Sequence, residues 1–143
     1  MIKGIGHVAF VVKDMEQSLH FYCQVLGFEK MFEIPHPKTK EPWIVYLKVR
    51  AGQYIELFYD GKNIPEKVEK PIGYSHLCLE VTDIQAIASH LKEQGITLDV
   101  EPTQGVDRNY QCWATDPDGN RIEFMQMNPD SLQLRAERGE KLE

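Results

Sequence analysis

The chain has 143 residues, 42 % of them apolar, which suits one ordinary domain with enough hydrophobic surface for a core. Sixteen basic residues against 22 acidic ones leave a formal charge of −6, and without a basic cluster the chain is not expected to bind nucleic acid. No apolar run approaches the roughly 20 residues that cross a bilayer, so no membrane partner is expected either.

Met1–Gly4 lacks the charged-then-apolar layout of a secretory signal. Three cysteines (Cys23, Cys78, Cys112) without C-x-x-C spacing predict reduced thiols and a cytoplasmic protein. The first element in chain order is a strand, in which Val8, Phe10 and Val12 alternate as one buried face. Asp14 then serves as a helix N-cap, because its carboxylate can accept from the free amides of a first turn. Met15, Leu19, Tyr22 and Leu26 recur at helical spacing, and Gly27 stands where a left-handed C-cap ends the helix. Strands are predicted at about 29–34, 43–50 and 53–60, with Ala51-Gly52 turning between the last two. A polar linker, 61–72, follows.

The same order is then written again. Ile5–Asp14 corresponds to Tyr74–Asp83, so that His7 answers His76 and Asp14 answers Asp83, each 69 residues on. Leu77, Leu79 and Val81 alternate; Asp83 caps; Ile84, Ile87, Ala88 and Leu91 form a helical stripe that ends at Gly95. Strands at about 97–101, 109–116 and 121–128 complete the second half, with the turn Asp116–Asn120 before the last. The fold predicted is α+β: paired βαβββ modules, 1–60 and 73–128, making one domain over 1–128. Its strands are expected to form a curved eight-stranded mixed sheet with helices on the convex side. Residues 129–143 read as a polar tail or short frayed helix.

The repeat also carries chemistry. Ile55-Glu56-Leu57 answers Ile122-Glu123-Phe124. Each glutamate is flanked by apolar residues, so strand alternation turns it away from the helix-packed face, and the same rule turns His7 and His76 the same way. If the first and last strands of each half are neighbours, two imidazoles and two carboxylates converge. A carboxylate in a half-buried strand is costly unless paired or metal-bound. Two of them beside two histidines at equivalent places point to a cation. Nitrogen and oxygen donors together suit Ni, Co, Zn, Mn or Fe better than calcium or a structural zinc.

The two modules and the His7, Glu56, His76, Glu123 set resemble the vicinal oxygen chelate superfamily, and within it the glyoxalase I (lactoylglutathione lyase) type. The segments that carry this are His7-x-x-x-x-Val12-x-Asp14, Phe21-Tyr22-x-x-Val25-Leu26-Gly27-Phe28 and Asp116-Pro117-Asp118-Gly119-Asn120-Arg121-Ile122-Glu123. The resemblance implies one divalent transition ion held by those four residues, and a small-molecule substrate. It also implies a homodimer and a lyase or isomerase that moves a proton through an enediolate. Glu123 and Glu56 are the implied catalytic carboxylates, Glu123 being preferred as the base. Epimerases and non-catalytic binding proteins of the same superfamily are the alternatives.

Two positions depart from glutathione-using members: Val11 stands where they carry arginine, and Asp60 where they carry asparagine. Asp60 and Glu80 are candidates to meet a hydroxylated substrate, and Arg108 to meet a carboxylate or phosphate. Asp116, Asp118 and Gly119 read as turn residues, His36 as a surface-loop residue, His20 and His90 as exposed helix positions. Trp43 and Trp113 read as core, and Cys78 as sharing the face of His76.

Overall fold

Alternation sets the first strand, β1 (His7–Val11), which buries Phe10 and leaves His7, Ala9 and Val11 exposed. The structure, a computed structural model, describes residues 2–63 and 72–141. Residues 64–71, most of the linker expected at 61–72, lie outside the described residues. The chain divides into two compact units, Met1–Pro71 and Ile72–Glu143, and each has the strand and helix order read from the sequence.

In the first unit, α1 (Met15–Leu19) starts at Asp14, whose side chain accepts from the Gln17 amide at 3.1 Å. A continuous α-helix to Leu26 was expected. Instead α1 passes into a π-helical segment, His20–Val25, in which the Leu26 amide reaches back five residues to the Phe21 carbonyl at 3.0 Å. The widened turn brings both Phe21 and Tyr22 into the core, where their rings meet edge to face at 5.1 Å. The buried face is therefore Met15, Ser18, Phe21, Tyr22 and Val25, while Leu19 and Leu26 stand at its margin.

Strands β2 (Glu29–Pro35), β3 (Pro42–Arg50) and β4 (Gln53–Phe58) follow. They hydrogen-bond with β1 in the order β1-β4-β3-β2, with β1 parallel to β4 and the other pairs antiparallel. Ile55 and Leu57 on β4 and Val45 and Leu47 on β3 are fully or almost fully buried and form the centre of this core.

The second unit repeats this layout with β5 (Leu77–Glu80), α2 (Ile84–Glu93), β6 (Leu98–Gln104), β7 (Tyr110–Thr115) and β8 (Arg121–Gln126). The sheet order is β5-β8-β7-β6, again with the first pair parallel. The eight strands are thus hydrogen-bonded as two four-stranded mixed sheets, one per unit. Asp83 caps α2 by accepting from the Gln85 and Ala86 amides at 2.9 and 3.0 Å, and Ile84, Ala88 and Leu91 bury its apolar stripe. Gly95, at φ 77°, ends it in the left-handed conformation that other residues resist.

The tail is more ordered than a frayed end. Ser131, completely buried, caps α3 (Leu132–Glu137) by accepting from the Leu134 amide. The Leu132 amide donates to the Asp107 carbonyl at 2.9 Å, and the buried Asn109 side chain accepts from the Asn128 amide at 2.9 Å. These bonds tie residues 128–132 to the β6–β7 turn.

Candidate functional site

In the first unit the parallel pairing of β1 and β4 sets Ala9 opposite Glu56. His7 lies two residues before Ala9 and so shares its face. Its Nε2 stands 3.5 Å from Glu56 Oε2. The imidazole is half exposed (47 %), but the carboxylate is not (9 %); an open-face glutamate was expected, and a buried one is found. β3 supplies Tyr46, which pairs directly with Glu56. The Tyr46 hydroxyl donates to the Glu56 carboxylate, which with some burial pushes the phenol above its usual range. The Tyr46 ring also meets His7 edge-on at 6.3 Å and stacks on Phe32 at 4.6 Å.

The second unit builds the same arrangement. Cys78 lies opposite Glu123, and His76 Nε2 stands 3.2 Å from Glu123 Oε2. The residue of β7 that pairs with this glutamate is Trp113, whose ring meets His76 edge-on at 4.7 Å. Trp113 was read as core. It is only half-buried and belongs to the face of the pair.

Tyr46 precedes Glu56 by the ten residues that separate Trp113 from Glu123. The repeat therefore extends to the aromatic neighbour of each pair, which the sequence reading missed. Offset was the signal for the ligands, but finding the aromatic neighbours requires the β3–β4 and β7–β8 registers.

Cys78 is held as a thiol. Burial, then the charge and hydrogen bond of Glu123, push its ionisation up to about 12. Cys112 is fully buried, and burial pushes its thiol up to about 11.

The remaining sequence candidates stand apart from the pairs in their bonding. Asp60 follows β4 in a left-handed conformation (φ 66°) and is exposed. Glu80 ends β5, exposed. Arg108 sits at φ 72° in the β6–β7 turn, its carbonyl accepting from Gln104 at 3.0 Å and Asn128 at 2.9 Å. Among the described residues no hydrogen bond or ion pair joins the side chains of Asp60, Glu80 or Arg108 to either pair.

Asp116 acts within its turn, accepting from the Asp118 and Asn120 amides at 3.0 and 2.8 Å. His36 accepts from the Lys38 and Thr39 amides in the β2–β3 turn. Trp43 packs edge-on against His36 and Phe58.

The donor chemistry of the pairs fits a transition ion. Two ligands about 2.1 Å from one ion, at angles between 90° and tetrahedral, stand about 3.0–3.4 Å apart. The 3.2 Å separation of the second pair lies within that span and the 3.5 Å of the first just beyond it. Each unit brings one histidine and one glutamate together, and no group of three or more His, Cys, Asp or Glu is gathered among the described residues.

The sequence matches the profile of the Glyoxalase/Bleomycin resistance protein/Dioxygenase superfamily over residues 4–124. The chain belongs to this superfamily. Metal ions are general in it, and its members include lactoylglutathione lyases. The lactoylglutathione lyase of Haemophilus influenzae is 29 % identical over 126 residues, covering 85 % of this chain and 91 % of that protein. The uncharacterized protein YwkD of Bacillus subtilis is 30 % identical over 137 residues, covering 94 % and 95 %. Among solved structures, that of SMU.1112c superposes with a TM-score of 0.75 at 28 % identity, covering 87 % of this chain and 99 % of the other. Among the described residues no helix is long and apolar enough to cross a membrane.

Proposed function

We propose that this glyoxalase-superfamily protein is a metal-dependent lyase or isomerase of the glyoxalase I type. It moves a proton between adjacent carbons of an α-hydroxycarbonyl or hemithioacetal substrate. The observation that supports this is the repeated pair: a histidine nitrogen and a glutamate oxygen at ligand separation, in the same strand register, in both units. In this reading His7, Glu56, His76 and Glu123 hold one divalent transition ion (Ni, Co, Zn, Mn or Fe). When bound, the ion supplies Lewis-acid polarisation of the substrate oxygens.

Glu123 takes the proton from the carbon that bears the hydroxyl and returns it to the neighbouring carbon. Glu56 is the poorer base because the Tyr46 hydroxyl already occupies one of its acceptor positions. Glu123 meets the thiol of Cys78, a weak donor, and His76, with the Trp113 ring across from it. Asp60, Glu80 and Arg108 supply contacts to the remainder of the substrate. The reading includes a single domain over 1–128, built from modules 1–60 and 73–128, and a cytoplasmic homodimer, whose mass light scattering measures.

Epimerisation is the second reading, in which Glu123 takes the proton from one face of the carbon and a proton is delivered to the opposite face of the same carbon, with Glu56 as the second carboxylate. The exposed carboxylates of Asp60 and Glu80 favour it, because they suit a polyhydroxylated ketone and repel a glutathione carboxylate. A binding protein without turnover is the third. One experiment separates them. The metal-loaded protein in deuterium oxide is given methylglyoxal–glutathione hemithioacetal, α-hydroxy ketones and acyl-CoA thioesters in parallel. Metal-dependent exchange of a carbon-bound proton, lost in Glu123→Gln, is expected. Exchange on none of them refutes enzyme chemistry.

A further inference from the structure

We infer that Arg121 binds an anionic group, a carboxylate or a phosphate, carried by the compound that sits at the His76–Glu123 pair. This rests on the enzymatic reading above and narrows its substrate class. Arg121 opens β8 two residues before Glu123, so strand alternation puts both side chains on one face, with their Cα atoms about 6.6 Å apart. Across the strand pair, Glu123 lies opposite Trp113 and Arg121 opposite Thr115. Arg121 is exposed, yet its guanidinium lies over the indole, its central carbon 4.4 Å from the centre of the Trp113 ring. That same ring meets His76, and His76 meets Glu123. Four side chains thus form one continuous patch, with the cation at one end and the proposed ligand pair at the other.

An arginine packed face-on against an indole keeps its five N–H donors at the edge of the guanidinium plane. Among the described residues the Arg121 side chain makes no ion pair and no hydrogen bond. Asp99, which lies beyond Thr115 on β6, accepts from the Thr115 hydroxyl at 2.6 Å. Stacking also restricts the side chain before any ligand arrives, so less rotamer entropy is lost when an anion binds.

An arginine that serves only solubility needs none of this arrangement. The first unit shows the contrast. The position equivalent to Arg121 is Tyr54, and the cation opposite it, Lys48, is already paired with Glu29 at 3.0 Å. The two modules share the ligand pair and differ in this cation, as suits a substrate that is charged at one end only.

The test is calorimetric and uses the full chain, with and without nickel. Three probes are titrated: hydroxyacetone, which is neutral; 5-hydroxylevulinate, an α-hydroxy ketone with a carboxylate; and dihydroxyacetone phosphate. The readout is the ratio of anionic to neutral affinity. Charge-assisted hydrogen bonds from a guanidinium predict a ratio of about 10 to 100 in the wild type, and the preferred probe tells carboxylate from phosphate. Arg121→Met, which keeps an aliphatic stem over Trp113, brings the ratio to about one, and Arg121→Lys retains part of it.

No anion preference in the wild type overturns the inference, and so does a preference that survives in Arg121→Met. A preference lost in Arg108→Met but kept in Arg121→Met overturns it as well, in favour of Arg108. The enzymatic reading is judged separately. If proton exchange fails on every probe while anion preference depends on Arg121, the reading falls and the anion site stands. If exchange proceeds with a preference indifferent to Arg121, the reverse holds.

Discussion

Metal loading offers a quantitative handle on whether the two histidine–glutamate pairs act as one site. An ion that binds only the folded protein, present at about 100 times its dissociation constant, adds about 2.7 kcal/mol of stability. For 143 residues at about 2.1 cal/mol/K each, the unfolding entropy is about 0.3 kcal/mol/K. The melting temperature therefore rises by about 9 °C in the presence of nickel or cobalt and returns on chelation, which scanning calorimetry measures.

Variants then separate two arrangements. If one ion is held by His7, Glu56, His76 and Glu123 together, Glu56→Gln and Glu123→Gln each remove most of the rise. The double variant loses little more than the worse single one, because the residues act as a unit. If each pair instead acts alone, at its own separation of 3.5 or 3.2 Å, each single variant keeps about half of the rise and the losses add. A rise of wild-type size in the variant with all four residues changed to glutamine refutes the ligand assignment.

Three further outcomes concern the scaffold. Leu91→Ala removes a completely buried side chain from α2 and costs about 2–5 kcal/mol in urea unfolding; a loss below 1 kcal/mol refutes the packing described. Asp83→Ala frees two amides now bonded at 2.9 and 3.0 Å and costs about 1 kcal/mol, which the same titration detects. Cys112 has its thiol pushed from 9.0 up to about 11 by burial. Because the folded value is the higher one, its contribution to stability is complete below pH 9 and falls away as pH rises toward 11. Cys112→Ala flattens that alkaline decline in a pH series of melting curves, and an unchanged decline refutes the attribution.

Much of this architecture is legible in the sequence because the signals are local and written twice. Alternating Val8, Phe10 and Val12, the caps Asp14 and Asp83, and the turn residues Asp116–Asn120 each act within a few positions of themselves. The ligand candidates are legible for a different reason: His7 and Glu56, like His76 and Glu123, recur at nearly constant offset. The π-helical segment is not legible in this way. Moving the buried face from Leu19 and Leu26 onto Ser18, Phe21, Tyr22 and Val25 takes one extra residue in the turn, and periodicity at 3.6 residues averages that away. The burial of Glu56 is likewise invisible to alternation, which says which face a residue takes and nothing about what covers that face. Trp113 was misread because its role depends on pairing with Glu123 across β7 and β8, a relation between residues on two strands.

The two modules also show how a repeated scaffold becomes asymmetric. Pairing geometry is common to both: a parallel first strand, a glutamate opposite the residue two after the histidine, and an aromatic ring across from that glutamate. What differs is the chemistry of that ring and of its neighbours. Tyr46 donates a hydrogen bond to its glutamate and is backed by Phe32. Trp113, whose donor is an indole N–H only, carries an arginine on its face instead. In the first module the carboxylate is buried and already carries the tyrosine hydrogen bond. In the second, the carboxylate has a thiol and an imidazole as neighbours and, two residues along the strand, a cation stacked on the indole. Duplication supplies one histidine–glutamate pair to each module. The proposed proton transfer has one base and one direction, and the substitutions at the aromatic positions and at Arg121 are where the equivalence of the two modules is broken.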